Sequence, residues 1–92
     1  MLPLMLMIKL EKILKALANK RRLAIIKHLK VAREAPVGDI AEEIGLSFKS
    51  TSKHLAILAS LDIIEKDQRS LRMFYYLSKN QQPIVHYLLS IL

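Results

Sequence analysis

The stretch DIAEEIGLSFKSTSKHLAILAS, residues 39–60, decides the fold of this chain. Its first part, 39–44, has the apolar spacing of a brief helix, and Gly45 suits the left-handed position that closes one. Ser47 is a preferred N-cap residue and predicts a second helix over about 48–60. Two helices separated by a short break that contains glycine form a helix-turn-helix pattern.

The second of these helices has two different faces. Thr51, Leu55 and Leu58 fall on the face that we expect to be buried. Phe48, at its start, can contact a thymine methyl group or pack on the preceding helix, and packing is the interpretation that we prefer. The opposite face is small, polar or basic and comprises Lys49, Ser52, Lys53, Ala56 and Ser60.

Two further helices precede this pair. The apolar spacing predicts a helix over about 3–18, with Pro3 in its first turn. Asn19 is a good N-cap for a second helix that runs to about Arg33. Pro36 ends that region, and Val37 can form a very short strand.

The pattern changes after the helix-turn-helix. The segments IIEKDQ, 63–68, and RMFYYL, 72–77, are rich in β-branched and aromatic residues and predict two antiparallel strands. The three residues 69–71 between them form the predicted hairpin tip, and a final helix starts near Pro83. The predicted fold is therefore mainly α with a small β-hairpin, a winged helix-turn-helix with five helices plus a wing.

Composition limits the function. We expect residues 1–92 to form one domain. The net charge of +7 and a pI near 9.9 favour a polyanionic partner such as double-stranded DNA. There is no cysteine, and the apolar start MLPLMLMI is far shorter than the roughly 20 residues of a membrane span. We expect a cytoplasmic protein with no membrane partner.

The terminal helices carry more apolar residues than a small monomer needs, since 52% of the chain is hydrophobic. The last helix is apolar nearly all round and has no acidic residue. We expect the helices at about 3–18 and 81–92 to form a homodimer interface, in which the last helix is covered by the first helix of a second subunit or by the same helix of that subunit. The predicted interface residues are Leu4, Met7, Leu10, Leu14, Ile84, Tyr87, Leu88 and Ile91.

Three segments in this order resemble one family. ALANKRRLAII (16–26), LSFKSTSKHLAIL (46–58) and DIIEKDQRSLRMFYYLS (62–78) are similar to the corresponding segments of ArsR/SmtB-type winged-helix repressors. The resemblance spans about residues 10–92. It implies a homodimer held by the first and last helices, a partly palindromic operator, and repression that a signal relieves.

The chain also departs from the family pattern. The family often has proline at the position of Lys20, glycine at that of Ser70, and a polar residue at that of Phe48. Its thiolate metal site lies in an ELCVCDL-type segment, which here reads EAPVGDI (34–40). The last helix offers only His86 as a ligand, so we predict no metal site of either common kind.

Basic and hydroxyl side chains make the candidate DNA contacts. Lys49 can reach a guanine acceptor pair or a phosphate, and a helix N-terminus attracts anions. For Arg22 we expect a structural salt bridge, whereas Lys20 and Arg21 remain open between phosphate and salt bridge. The candidate DNA-binding residues are Ser47, Lys49, Ser50, Ser52, Lys53, His54, Arg69 and Arg72.

We therefore interpret the chain as a sequence-specific DNA-binding transcriptional regulator, a dimeric repressor of a palindromic operator. We predict no enzyme activity and no cofactor, because the sequence has no placeable catalytic triad and no glycine-rich phosphate loop. Two alternatives stay open: a non-sequence-specific architectural nucleic-acid-binding protein, and a winged-helix protein–protein interaction module. The sequence does not identify an inducing ligand.

Overall fold

A computed structural model describes residues 2–92, which form five α-helices and three β-strands. Their order confirms the predicted winged helix-turn-helix, with the helix-turn-helix in the middle of the chain and the wing after it. The elements are α1 Leu4–Leu17, α2 Lys20–Ala32, β1 Glu34–Pro36, α3 Val37–Ile44, α4 Phe48–Ser60, β2 Ile64–Arg69, β3 Arg72–Leu77 and α5 Pro83–Ile91.

Local caps set the helix ends at the predicted places. The Asn19 side chain accepts hydrogen bonds from the N–H groups of Arg21 and Arg22, which starts α2. Gly45 closes α3 in the left-handed region, with a φ of 66°. Two residues later, the Ser47 hydroxyl accepts a hydrogen bond from the Ser50 N–H at 3.1 Å and begins α4.

The predicted strand at Val37 is wrong, because Val37 is the first residue of α3. The strand lies one step earlier, at Glu34–Pro36, and pairs antiparallel with β3 in a sheet of order β1-β3-β2. Pro36 has extended backbone angles and precedes the first turn of α3. This strand buries Ala35 against the core and ties the region before α3 to the wing.

The tip of the wing is tighter than predicted. Arg69 pairs with Arg72 across the hairpin, so only Ser70 and Leu71 form the turn, instead of the three predicted residues that included Arg69. Ser70 has a positive φ of 56°, which is the conformation that favours glycine in a two-residue hairpin turn. The hairpin therefore forms without the glycine that the resemblance would place there.

The core lies between α2, the helix-turn-helix and the sheet. Its fully buried side chains include Ile25, Ile26, Ile40, Leu55, Leu58, Ile63, Ile64 and Val85. Only the second half of α1 joins them, through Ile13, Ala16 and Leu17, while the preceding residues 2–10 are exposed. Within residues 2–92, no helix has the length and apolar character needed to cross a membrane.

Candidate nucleic-acid interface

The exposed surface of α4 is basic, as the sequence predicted. Lys49 and Lys53 are exposed, and Ser50 and Ser52 beside them are half-buried. The helix contains no acidic residue. Within the described residues neither lysine forms an ion pair or a side-chain hydrogen bond. Both positive charges are therefore free to meet an external anion.

The opposite side of α4 fixes it in the fold. Thr51, Leu55 and Leu58 are completely buried, which confirms the predicted inner face. Ser47 lies at the exposed start of the helix, and its hydroxyl is already used as the cap. Within the described chain the N–H groups of Phe48 and Lys49 have no acceptor, so they are available to a phosphate oxygen.

Phe48 does not pack on the preceding helix, and the preferred interpretation of this residue is wrong. Its side chain is 61% exposed. Around the helix axis Phe48 lies beside Leu55, which is buried, and this is why the spacing favoured packing. Phe48, however, is the first residue of α4 and extends beyond the part of the helix that the core covers.

Two arginines at the start of α2 hold the helix-turn-helix in place. Arg21 donates from Nη1 to the carbonyl oxygen of Ile44, at the end of α3, at 2.7 Å. Arg22 donates from Nε to the carbonyl oxygen of Ala16 at 2.6 Å, and its Nη1 lies 3.1 Å from Nδ1 of His54. The salt bridge expected for Arg22 is therefore wrong, since carbonyl and imidazole groups replace the carboxylate.

Sequence reasoning missed this positioning role because the partners of the arginines are backbone carbonyls. A carbonyl has no side-chain signature, and Ile44 lies 23 residues from Arg21. The helix dipole gave a partial indication of this role. A cation at the start of α2 is unfavourable there, but the same cation is favourable at the C-terminus of α3.

His54 contributes to this arrangement as a neutral side chain. An arginine can only donate, so Nδ1 of His54 accepts and the ring proton lies on Nε2. Burial lowers the pKa of His54, and the nearby charges of Arg22 and Arg21 lower it further. His54 was predicted to contact phosphate; in this state it offers an Nε2–H donor without a positive charge.

The wing presents its predicted arginines differently. Arg69 donates to both carboxylate oxygens of Glu34, at 3.0 and 2.5 Å, and to Asp67 at 3.0 Å. Its guanidinium also lies 4.6 Å from the centre of the Phe74 ring. The hydrogen bonds that Arg69 donates to the Glu34 carboxylate lower the pKa of Glu34 and raise the pKa of Arg69. Two carboxylates thus neutralise this arginine.

Arg72 is the freer arginine of the pair. It is exposed and lies 5.4 Å from the centre of the Phe74 ring, with no acidic partner among residues 2–92. Lys66 is also exposed, and it lies on the other side of β2 from Asp67 and Arg69. The cations of the wing that remain available are therefore Arg72 and Lys66.

The predicted subunit interface residues are all exposed on α1, whereas on α5 two are exposed and two pack against the core of the same chain. Tyr87 and Ile91 point outward and are more than 60% exposed, whereas Ile84 and Leu88 are partly buried against the core of the same chain. An apolar groove of about 550 Å³ runs between the two helices, and Leu6, Leu10 and Tyr87 are among its walls. On α1, all four predicted residues are exposed: Leu4, Met7, Leu10 and Leu14.

Comparison with known proteins places this geometry in context. The family model described as "Bacterial regulatory protein, arsR family" matches residues 19–66, just over half of the chain. A curated relative, the transcriptional activator HlyU of Vibrio cholerae, is 35% identical over 69 residues. The match covers 75% of this chain and 63% of the length of HlyU.

Solved structures show the same architecture. The structure of reduced HlyU from Vibrio cholerae has a TM-score of 0.77 at 31% identity, over 90% of this chain and 83% of that one. A second neighbour has a TM-score of 0.79 at 29% identity, over 94% of this chain and 76% of its own. It is a homodimeric winged helix-turn-helix DNA-binding domain from Mycobacterium bovis, described as a possible ArsR-family transcriptional regulator.

Proposed function

This chain belongs to the ArsR family of bacterial regulatory proteins, whose members regulate transcription rather than catalyse reactions, and on that premise we propose that it is a homodimeric repressor of a partly palindromic DNA operator. The observation that carries the proposal is the pair of free lysines on the exposed face of α4. Basic side chains on a helix that fits the major groove can contact both phosphates and base edges.

The remaining contacts follow from the geometry of α4 and the wing. Lys49, in the first turn, is suited to a guanine edge, because the N-terminal residues of a recognition helix approach the bases. Lys53 and the free N–H groups at the helix start are suited to phosphates. Arg72 and Lys66 add basic groups on the two opposite faces of the wing, where the DNA backbone or the minor groove is within reach.

The dimer is proposed from the apolar surface of the terminal helices. Leu6 and Leu10 of α1 and Tyr87 of α5 border one groove, and Met7 and Ile91 are further exposed apolar residues on the same two helices. A second copy of the chain covers such a surface and sets two recognition helices about 34 Å apart, one DNA turn. The homodimeric neighbour from Mycobacterium bovis supports this arrangement.

Repression follows if the occupied operator overlaps a promoter, because the bound dimer then excludes polymerase. The relative HlyU is named an activator, so the sign of regulation needs its own measurement. In vitro transcription from a promoter that carries the selected operator should fall as the protein is added. An increase would replace repression by activation and leave the DNA-binding proposal intact.

Selection from a random pool of duplex DNA tests the main proposal. We expect the enriched sequences to contain two inverted half-sites about one helical turn apart, with salt-dependent affinity. Steeply salt-dependent binding without any enriched sequence would support the architectural alternative. No binding to duplex DNA at low salt would support the protein-interaction alternative.

Light scattering on two charged variants tests the subunit surface. Met7→Glu and Ile91→Glu place a carboxylate on exposed positions of α1 and α5, and each should convert the dimer to a monomer. Val31→Glu is the matched control, since Val31 is 77% exposed on α2 and borders a pocket with Glu43 and Ile44 of α3. A dimer that persists in both test variants would refute this interface.

A further inference from the structure

The exposed ring of Phe48 has no role in the fold that the described contacts explain. It lies at the first position of α4, the end of the helix that the proposed function places against DNA bases. At 61% exposure it leaves a large apolar surface in water. An aromatic side chain buries far more apolar area when it is covered, so an exposed one on a binding surface indicates a contact partner.

The neighbours of Phe48 limit what that partner can be. Lys49 follows it directly in the sequence, and Ser52 follows one turn later. The next exposed large apolar residue on α4 is Ile57, more than two turns away. A protein partner would need a contiguous apolar patch, which this basic and polar surface does not offer. The ring is an isolated exposed apolar group between Ser47 and Lys49.

We propose that Phe48 contacts the C5-methyl group of a thymine in the major groove and thereby selects thymine at one position of each half-site. The thymine methyl is the apolar feature that distinguishes base pairs in the major groove, and phenylalanine is a suitable partner for it. The first residues of a recognition helix are those that approach the base edges. This inference rests on the proposed function and assigns one residue to the DNA sequence specificity of the proposed regulator.

The phenyl ring and Lys49 divide the recognition between them. The ring has no hydrogen-bond donor, so it cannot read the acceptors of guanine or bind phosphate. Lys49 supplies that donor in the same turn. Both residues belong to the first turn of α4, whose start is capped by Ser47.

Deoxyuridine substitution tests the proposal, because it removes only the methyl group of thymine. The probe is the duplex that the wild-type protein selects from the random pool, with each thymine replaced in turn. We expect one position in each half-site at which deoxyuridine weakens wild-type binding about fourfold, the factor that corresponds to one buried methyl group. Phe48→Ala should bind the thymine and deoxyuridine duplexes equally at that position.

Two controls separate this result from general damage. Val31→Ala removes an exposed apolar side chain outside the DNA surface and should keep the full sensitivity to deoxyuridine. Phe48→Ala should keep the salt dependence of wild-type binding, because the ring contacts no phosphate.

Two results would overturn the inference while the proposed function stands. One is a wild-type protein that binds its selected site equally well with deoxyuridine at every position. The other is a Phe48→Ala variant with unchanged sensitivity. A protein that selects no sequence would overturn both proposals together.

Discussion

The recognition helix and the wing carry similar basic residues, but the structure gives those residues different electrostatic surroundings. Among residues 2–92, Lys49 and Lys53 of α4 form no ion pair, and the helix itself contains no acidic residue. On the wing, Arg69 is held by Glu34 and Asp67, whereas Arg72 forms no ion pair within the described part of the chain. A count of basic residues would treat the two elements as equal.

The difference shows that the charged neighbours of a basic residue come from different parts of the sequence on a helix and on a sheet. Along α4 the neighbours come from the same short segment, which has no acidic residue. Across a sheet they come from distant parts of the chain: Glu34 is separated from Arg69 by 35 positions. We therefore expect α4 to supply most of the electrostatic affinity for DNA and the wing less.

The largest effect should come from the lysines of α4. Lys49→Ala should reduce operator affinity by about 1–3 kcal/mol and relax specificity at the base that it contacts. Lys53→Ala should weaken binding to all sequences similarly and reduce the salt slope by about one. Fluorescence anisotropy on the selected duplex at several salt concentrations measures both. If neither variant differs from the wild type, α4 is not the main contact.

A moderate effect should follow when the acids that hold Arg69 are neutralised. The double variant Glu34→Gln with Asp67→Asn frees its guanidinium and should strengthen DNA binding at low salt by about three- to tenfold. Arg69→Ala in the wild type should weaken binding less than Arg72→Ala does.

Glu65→Gln is the control for this experiment, because it removes one negative charge from β2, half of the change in the double variant, without touching an acid that holds Arg69. The comparison between helix and wing fails if Glu65→Gln strengthens binding as much as the double variant. It also fails if Arg69→Ala weakens binding more than Lys49→Ala.

The smallest effect should be on folding stability, through the contact between His54 of α4 and Arg22 of α2. Because folding lowers the pKa of His54, the unfolded chain binds more protons in acid, and stability falls as pH drops. The contribution of His54 is complete above about pH 6.5, the ordinary histidine pKa, and is lost as pH falls through its lower folded value. Urea unfolding between pH 7.5 and 5 measures it.

His54→Asn keeps an acceptor near Arg22 but cannot titrate, so its stability should depend less on pH than that of the wild type. His86→Gln is the control, since His86 is exposed on α5. An Asn variant with the pH dependence of the wild type would show that His54 does not provide this link.

Local features of the sequence predicted most of the fold. Ser47, Asn19 and Gly45 set helix ends through contacts within a few residues, so their effect can be read from the sequence directly. The buried face of α4 was predicted correctly from the helical spacing of Thr51, Leu55 and Leu58. The strand at Glu34–Pro36 was missed because it exists through pairing with β3, some 40 positions away, and has no apolar pattern of its own.

The candidate site was less predictable, and for related reasons. The helical period gives the direction of a side chain but not where the core ends, so Phe48 was expected to pack on the preceding helix although it is largely exposed. The ion pairs of Arg69 depend on the register of two strands with a third. The bonds of Arg21 and Arg22 to carbonyl oxygens depend on how α2 crosses its neighbours.

The charged residues of β2 have a consequence apart from DNA. The strand order leaves β1 and β2 at the two open edges of the sheet, and such edges invite pairing with other chains. Along β2, the residues after Ile64 read EKDQR and are all exposed, while β1 is only three residues long and ends in Pro36. Unlike the apolar helices, this sheet resists adding a strand from another molecule. The alternating charges that weaken the wing as a DNA contact thus protect the protein from edge-to-edge aggregation.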